Sequence, residues 1–256
     1  MSKVSYELTD KVAVLKLNDP ATMNAAGIDM VIDLAAAFKR ASDEARAVVL
    51  TGEGRGFCSG ANLSSGGQVG KSLDAGAALE SHYNPFMTSI RDFPIPVVTA
   101  VNGAAAGVGC SIALMGDMII AAQSAFFLQA FRRIGLVPDG GSSYLLPRAI
   151  GRARAMEMML LGEKLPAPKA LEWGLINRCV PDAELLPTAL AIANELANGP
   201  KSISLIRKLA WDGLDSHWRD QLHREREVQR TAGRTADFAE GVLAFQEKRP
   251  AKFKGA

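Results

Sequence analysis

Apolar and polar side chains alternate from Val4 to Leu8 and from Lys11 to Leu17 around a Thr-Asp-Lys turn, a period of two that predicts an opening β-hairpin. From Met30 to Arg40 the period changes. Apolar residues recur at helical spacing with Asp33, Lys39 and Arg40 among them, which predicts an amphipathic helix feeding the buried strand Ala47 to Leu50. Ala77 to Arg91 reads as a second helix, stopped by Phe93-Pro94-Ile95-Pro96 because proline drives the preceding residue out of the helical region. Val97 to Val101 is then another buried strand, Ile112 to Met115 is helical, and Met118 to Ala121 is a strand. Alternation of this kind predicts an α/β core.

Beyond about Gly151 the pattern predicts helices only: Arg152 to Leu161, Pro168 to Trp173, Ala183 to Ala197, Lys201 to Trp211 and a charged stretch from His217 to Arg230. The chain therefore divides into an α/β core over residues 1–195 and a helical region over residues 196–256. The latter is too poor in apolar residues for a core of its own, so its faces must pack on the first part or on a neighbouring subunit.

Composition narrows the function. With 256 residues, 48% of them hydrophobic and 22% charged, the chain can bury a large core. The net charge of +2 gives no footprint for nucleic acid or a membrane surface. Cys58, Cys110 and Cys179 are odd in number and far apart, which excludes a disulfide framework or a CxxC metal knuckle and fits a reducing compartment. No segment has signal-peptide character or about 18 uninterrupted apolar residues, so a cytoplasmic location is expected. Ser64 to Gly76, rich in Gly and Ser, predicts a mobile surface loop of the sort that shapes pockets.

Two Gly-rich segments follow buried strands: Gly52 to Leu63, and Asn102 to Cys110. Small residues let a ligand approach the backbone, and the second segment runs into a helix whose first-turn N–H groups have no intrahelical partner and carry partial positive charge. Turn chemistry and tight strand–helix packing account for either segment equally well. Neither has the spacing of a phosphate-binding GxxxxGK[ST] or a dinucleotide-binding GxGxxG.

Read together with their surroundings, these segments are more specific. LNDPATMNA, GRGFCSGANL and AVNGAAAGVGCSIAL resemble the LNxPxxxNA, GxxFCAGADL and AVNGxAxGGGxxLAL signatures of the crotonase (enoyl-CoA hydratase/isomerase) superfamily. IGLVPDGGSSYLLPRAIG and ALEWGLINRCVP are similar to its later signatures, so the resemblance spans nearly the whole chain. It implies a spiral of ββα units with a C-terminal helical trimerisation region, a homotrimer or dimer of trimers, and a coenzyme A thioester as substrate, with no other cofactor and no metal. It also implies that the thioester carbonyl sits between two backbone N–H groups, which by position are those of Ala61 and Val108. Where the family has glycine at the second position this chain has valine, expected to narrow the pocket beside it. Such donors are typically worth roughly 3–4 kcal/mol each by deletion, because enolate formation places negative charge on the carbonyl oxygen. The same carry-over makes Met23, Ser59, Gly60, Asn62, Leu63, Tyr83 and Gly107 candidate substrate-binding residues. Phe131 and Leu136 are candidates for the acyl end, and Phe245, Lys248 and Phe253 for the adenine end.

The two glutamates of a typical hydratase would fall at Ser111 and Phe131, and neither can activate water or protonate carbon. The remaining candidate is Asp139, in LVPDGGS at the entrance of an apolar helix. An Asp before small residues is also a favoured helix N-cap, which would explain the position without catalysis. In the resemblance, Asp139 falls where isomerase-like members carry a catalytic carboxylate, and an apolar pocket would raise its pKa toward neutrality. His82, His217 and His223 lack metal-ligand spacing, Ser59 and Ser111 lack a histidine partner, Glu80 and Tyr83 are pocket-lining at best, and Arg224 to Arg230 reads as a solvated helical face.

The leading expectation is an enoyl-CoA isomerase. The chain is similar to the phenylacetate-pathway type in YNP, LVPD, LLPR and AGRTADFAEGVLAF. Alternatives are an enoyl-CoA hydratase, a haloacyl-CoA dehalogenase-like enzyme using Asp139 as nucleophile, for which the Gly/Ser loop offers no clear aromatic cradle though Tyr83, Phe86 and Phe131 could contribute to one, and a non-catalytic acyl-CoA-binding scaffold.

Overall fold

The computed structural model describes residues 2–62 and 74–256, so Leu63 and most of the Gly/Ser-rich loop lie outside the described residues. The expected hairpin is present: β1 (Val4–Thr9) runs antiparallel to β2 (Val12–Leu17), with Tyr6 opposite Leu15. A 3-10 turn at Pro20–Thr22 leads to α1 (Ile28–Glu44), longer at both ends than its apolar periodicity, which buries Met30, Val31, Leu34 and Phe38. β3 (Ala47–Gly52) and the short β4 (Gly56–Cys58) follow. The helix expected over residues 77–91 opens with a π-helical turn, Leu79–Tyr83, and continues as α2 (Asn84–Arg91).

Next come β5 (Val97–Val101), β6 (Ala104–Ala106), α3 (Val108–Ala113), β7 (Met118–Ala122) and β8 (Phe126–Leu128). α3 begins four residues before the Ile112 expected from apolar spacing, because Gly107 with φ +53° turns the chain straight into it. The remaining elements are α4 (Ser142–Leu161), β9 (Lys164–Pro166), α5 (Ala167–Glu172), β10 (Arg178–Val180), α6 (Leu185–Ala197), α7 (Ser202–Gly213), α8 (Trp218–Ala232) and α9 (Ala236–Glu247).

Two sheets result, one in the order β1-β2-β3-β5-β7-β10 and one in the order β4-β6-β8-β9. Apart from the pairs β1/β2 and β8/β9, the strands are parallel. Each circuit of the chain gives one strand to the large sheet and a short one to the small sheet, β3 then β4, β5 then β6, β7 then β8, which is a spiral of ββα units. Fully buried Leu15, Leu50, Phe57, Ile120 and Phe127 fill the space the spiral encloses.

The expectation of helices alone beyond Gly151 is corrected by β9 and β10. Both are three residues long, too short for a period to be legible, and both are fixed by pairing with strands far away in sequence: Leu165 with Phe127, Cys179 with Ala121. The division at 195/196 falls inside α6, which packs on β3, β5 and β7 and buries Ala193 and Ala197. α7 is tied to the core by buried Arg207, whose guanidinium pairs with Asp117 at 2.7 Å and donates to the carbonyls of Ile90, Arg91 and Phe93. Among the described residues no helix is long and apolar enough to cross a membrane.

Candidate active site

The small sheet assembles the site. Its neighbouring parallel strands β4, β6 and β8 end, respectively, just before Gly60-Ala61, just before Gly107-Val108, and just before the segment that leads through a 3-10 turn at Phe131–Ile134 to Asp139. Three stretches 30 or more residues apart are thus brought to one edge by strand pairing.

Gly60 and Gly107 both take positive φ, +103° and +53°. Their backbones touch: a Cβ at Gly107 would lie 3.8 Å from Gly60 Cα, and one at Gly60 only 3.0 Å from the Ala106 carbonyl oxygen. The peptide plane then dictates where the two N–H groups point, because in a trans peptide the C=O of one residue and the N–H of the next are opposed. The Gly60 carbonyl accepts the Ala26 N–H at 2.7 Å, and the Gly107 carbonyl accepts the N–H groups of Cys110 at 2.9 Å and Ser111 at 3.2 Å. With both carbonyls held, the N–H groups of Ala61 and Val108 face the other way. Ala61 N–H makes no hydrogen bond among the described residues. Val108 is the first residue of α3, where no intrahelical acceptor exists. Two such donors side by side can hold one anionic oxygen.

Asp139 adjoins them. Gly140, at φ +55°, leaves no room for a side chain, since a Cβ there would meet Ser111 Cβ at 2.8 Å and Val108 Cγ2 at 3.3 Å. Val108 is 2% exposed, and its side chain packs against Gly140 in the Asp139–Gly140 turn. The Asp139 backbone carbonyl accepts the Ser111 hydroxyl at 2.9 Å and the Ser142 N–H at 3.1 Å, with the Ser142 hydroxyl also 2.9 Å away. The carboxylate is different. Among the described residues its Oδ1 is buried and has no hydrogen-bond partner, and desolvation raises its pKa from 3.8 to about 6. It does not cap α4, whose N-cap is Gly141 with no side-chain bond. A half-buried carboxylate whose charge is poorly solvated is a competent base near neutral pH.

The other candidates divide. Met23 and Ser59 connect the first 3-10 turn to the Gly60 loop: Ser59 donates its N–H to the Met23 carbonyl at 3.0 Å and its hydroxyl to the Thr22 carbonyl at 2.8 Å. Asn62 is half-buried beside that loop. Phe131 is buried with its ring 3.8 Å from where a Gly107 Cβ would stand, whereas Leu136 is 43% exposed. Tyr83 is buried and its hydroxyl is committed to the Ala26 carbonyl at 2.5 Å. Phe86 packs edge-on against Phe38 in the core, so it does not join Tyr83 and Phe131 in an aromatic cradle. Glu80 is exposed.

Phe245 and Phe253 line a separate groove of about 460 Å³ with Phe238 and Val242, and Lys248 ends α9 in the left-handed region. The fold does not join these three to Asp139 within one chain. Arg224 and Arg230 form ion pairs with Asp212 and Glu227 on the exposed face of α8.

Sequence reading missed Ala26 and Ser142. Ala26 acts only through its backbone, which leaves no mark in the sequence. Ser142, three residues after Asp139, is the sort of signal that could have been read as a brace.

Residues 7–256 match the family model described as enoyl-CoA hydratase/isomerase. The chain is 46% identical over 253 residues to a probable enoyl-CoA hydratase of Rhodobacter capsulatus, covering 98% of each chain. It is 44% identical over 249 residues to the 1,2-epoxyphenylacetyl-CoA isomerase of Escherichia coli, covering 95% of each. Among solved structures it superposes on the enoyl-CoA hydratase of Bacillus anthracis with a TM-score of 0.92 at 30% identity, covering 99% of this chain and 100% of the other.

Proposed function

The chain belongs to the enoyl-CoA hydratase/isomerase family, and within it we propose an isomerase that moves the double bond of a 3-enoyl-CoA to the 2-position. The observation that carries this reading is the half-buried carboxylate of Asp139, its Oδ1 buried and without a partner among the described residues and its pKa raised to about 6, beside two fixed backbone donors.

In the proposed reaction the thioester carbonyl oxygen accepts the N–H groups of Ala61 and Val108. Asp139 removes a proton from C2 of the substrate. The electron pair spreads over the dienolate, whose oxygen is stabilised by the two donors. Asp139, now protonated, returns the proton to C4, the double bond moves into conjugation, and the carboxylate is regenerated. One group serves as base and then as acid, so no second carboxylate is needed. The substrate carries coenzyme A as its handle, and no separate cofactor enters the scheme.

Hydration is the second reading, favoured by the name of the Rhodobacter relative. Against it stand the two positions where the resemblance expects glutamates. Ser111 has committed its hydroxyl to Asp139, and Phe131 has no titratable group. Substituting Asp139→Asn should abolish conversion of 3-enoyl-CoA to 2-enoyl-CoA, followed by the rise in conjugated-enoyl absorbance, while leaving the fold intact. Retained conversion removes Asp139 from the mechanism, and rapid loss of that absorbance on adding 2-enoyl-CoA supports hydration instead.

A trimeric or hexameric assembly and a cytoplasmic location belong to the same reading. Supporting the assembly, the C-terminal helices expose large apolar side chains, among them Trp218, Phe238 and Phe245, to a degree a lone chain rarely tolerates.

A further inference from the structure

Tyr83 is buried, yet its hydroxyl does not face a ligand: it donates to the backbone carbonyl of Ala26 at 2.5 Å. Ala26 is the corner of a three-residue turn closed by the Gly27 N–H donating to the Ala25 carbonyl at 2.9 Å. On the other side of that corner the Ala26 N–H donates to the Gly60 carbonyl at 2.7 Å. This bond sets the plane of the Gly60–Ala61 peptide, and a planar trans peptide fixes the Ala61 N–H opposite to it. The second donor has a local brace, since the Gly107 carbonyl is held by two N–H groups of its own helix turn. The Ala61 donor has no such helix behind it. The Gly60 carbonyl is held by the Ala26 N–H, and the Ala26 carbonyl by the Tyr83 hydroxyl.

We propose that Tyr83 is a positioning residue of the oxyanion site, holding the Ala26 turn so that the Gly60–Ala61 peptide presents its N–H to the thioester oxygen. The inference deepens the reading of Ala61 and Val108 as the oxyanion donors and rests on it. Tyr83 suits the task. Burial pushes its phenol up to about 12, so it remains a proton donor throughout the working range. It also sits in the π-helical turn, a local distortion often found at functional sites, which returns a residue from the edge of the Gly/Ser-rich loop to the interior.

The test separates orientation from chemistry. Hexanoyl-CoA labelled with carbon-13 at the thioester carbonyl binds without turnover, and its infrared carbonyl band moves to lower frequency when two donors engage the oxygen. In Tyr83→Phe, which keeps the ring and loses the hydroxyl, the bound band should return at least halfway toward its position in free hexanoyl-CoA. Turnover of 3-enoyl-CoA should fall about tenfold in kcat with KM changed less than about threefold, the split expected when a donor that matters in the transition state is misaligned. Asp139→Asn should keep the wild-type band while losing turnover, so failure of the isomerase reading and failure of this inference give different results. A full wild-type band shift in folded Tyr83→Phe overturns the proposal. If that variant does not fold, fluorotyrosine at position 83 keeps the shape and strengthens the donor. The band should then move further in step with phenol acidity, and an unmoved band overturns the proposal equally.

Discussion

The Ser111 hydroxyl donates to the backbone carbonyl of Asp139 at 2.9 Å, linking the first turn of α3 to the residue whose carboxylate is the proposed base. The relationship is consequential because of where Ser111 stands. At the position where the resemblance places one of a hydratase's two glutamates, this chain has a fully buried serine, packed so closely on Gly140 that a Cβ on that glycine would lie 2.8 Å from its own. Here the Ser111 side chain braces the Asp139 turn.

Ser111→Ala should therefore lower kcat without abolishing it. The Asp139 carbonyl keeps the Ser142 N–H, so the turn survives, but loss of one hydrogen bond should cost about 1 kcal/mol of stability. Displacing the carboxylate by a fraction of an ångström should cost about tenfold in kcat. Ser111→Glu should produce no hydratase, because the added atoms have no space under Gly140 and would push Asp139 out of place. Thermal melts together with enoyl absorbance in both directions check these outcomes, and efficient hydration by Ser111→Glu would show that the turn yields more readily than its packing implies.

The pH dependence follows from the same carboxylate. With Asp139 raised to about 6, kcat/KM should rise with pH, tenfold per unit at first, and level off above about 6, since the ionised form is the base. The stability effect has the opposite sense. The folded-state pKa lies above the ordinary value of 3.8, so the folded protein holds its proton more tightly, and ionisation between pH 3.8 and about 6 lowers stability as pH rises. Asp139→Asn removes that penalty. Discounted for the solvent that reaches this half-exposed group, the gain at pH 8 should be about 1 kcal/mol, or roughly 2–4 °C in Tm, and should vanish near pH 4. Melts of the two proteins at both pH values decide it.

Much of this was legible before the fold was known, and the division has a physical basis. Strands such as Val97–Val101 and helices such as α2 announce themselves because burial on both faces or on one stripe requires a run of apolar residues longer than chance. β4, β6 and β8 carry no such signal. Each is three residues long and exists because its neighbour supplies the partner. Those short strands align the donors and the carboxylate, so the convergence of Ala61, Val108 and Asp139 could be inferred from resemblance but not from local pattern. Asp139 itself was ambiguous between a helix cap and a base. Against the cap stand Gly141 as the N-cap of α4 and an Oδ1 without a partner among the described residues, and neither leaves a trace in sequence. The backbone position of Val108 follows from the motif, whereas the packing of its side chain involves a glycine 32 residues later.

Arg207 offers a test of how the C-terminal helices are fastened to the spiral. Its side chain is 4% exposed, and besides Asp117 it donates to the carbonyls of Ile90, Arg91 and Phe93 at the end of α2. Asp117 is shared in turn: the Val97 N–H donates to it at 2.8 Å and the Trp211 indole N–H at 2.9 Å, so one ion pair ties α7 to α2 and to the start of β5. Replacing Arg207→Met leaves the half-buried Asp117 carboxylate and three helix-end carbonyls without their cation, which should cost about 3–5 kcal/mol and lower Tm by roughly 10 °C. Arg207→Lys should recover only part of this, because a single ammonium cannot reach four acceptors spread around a planar fork. The loss should be insensitive to salt, since the pair is screened from solvent. By contrast, Lys39→Met, which breaks an exposed pair with Asp43 at 2.6 Å, should change stability by less than about 0.5 kcal/mol. Melting curves at low and high sodium chloride distinguish the two, and a small, salt-dependent effect at Arg207 would mean that α7 is held by its apolar face alone.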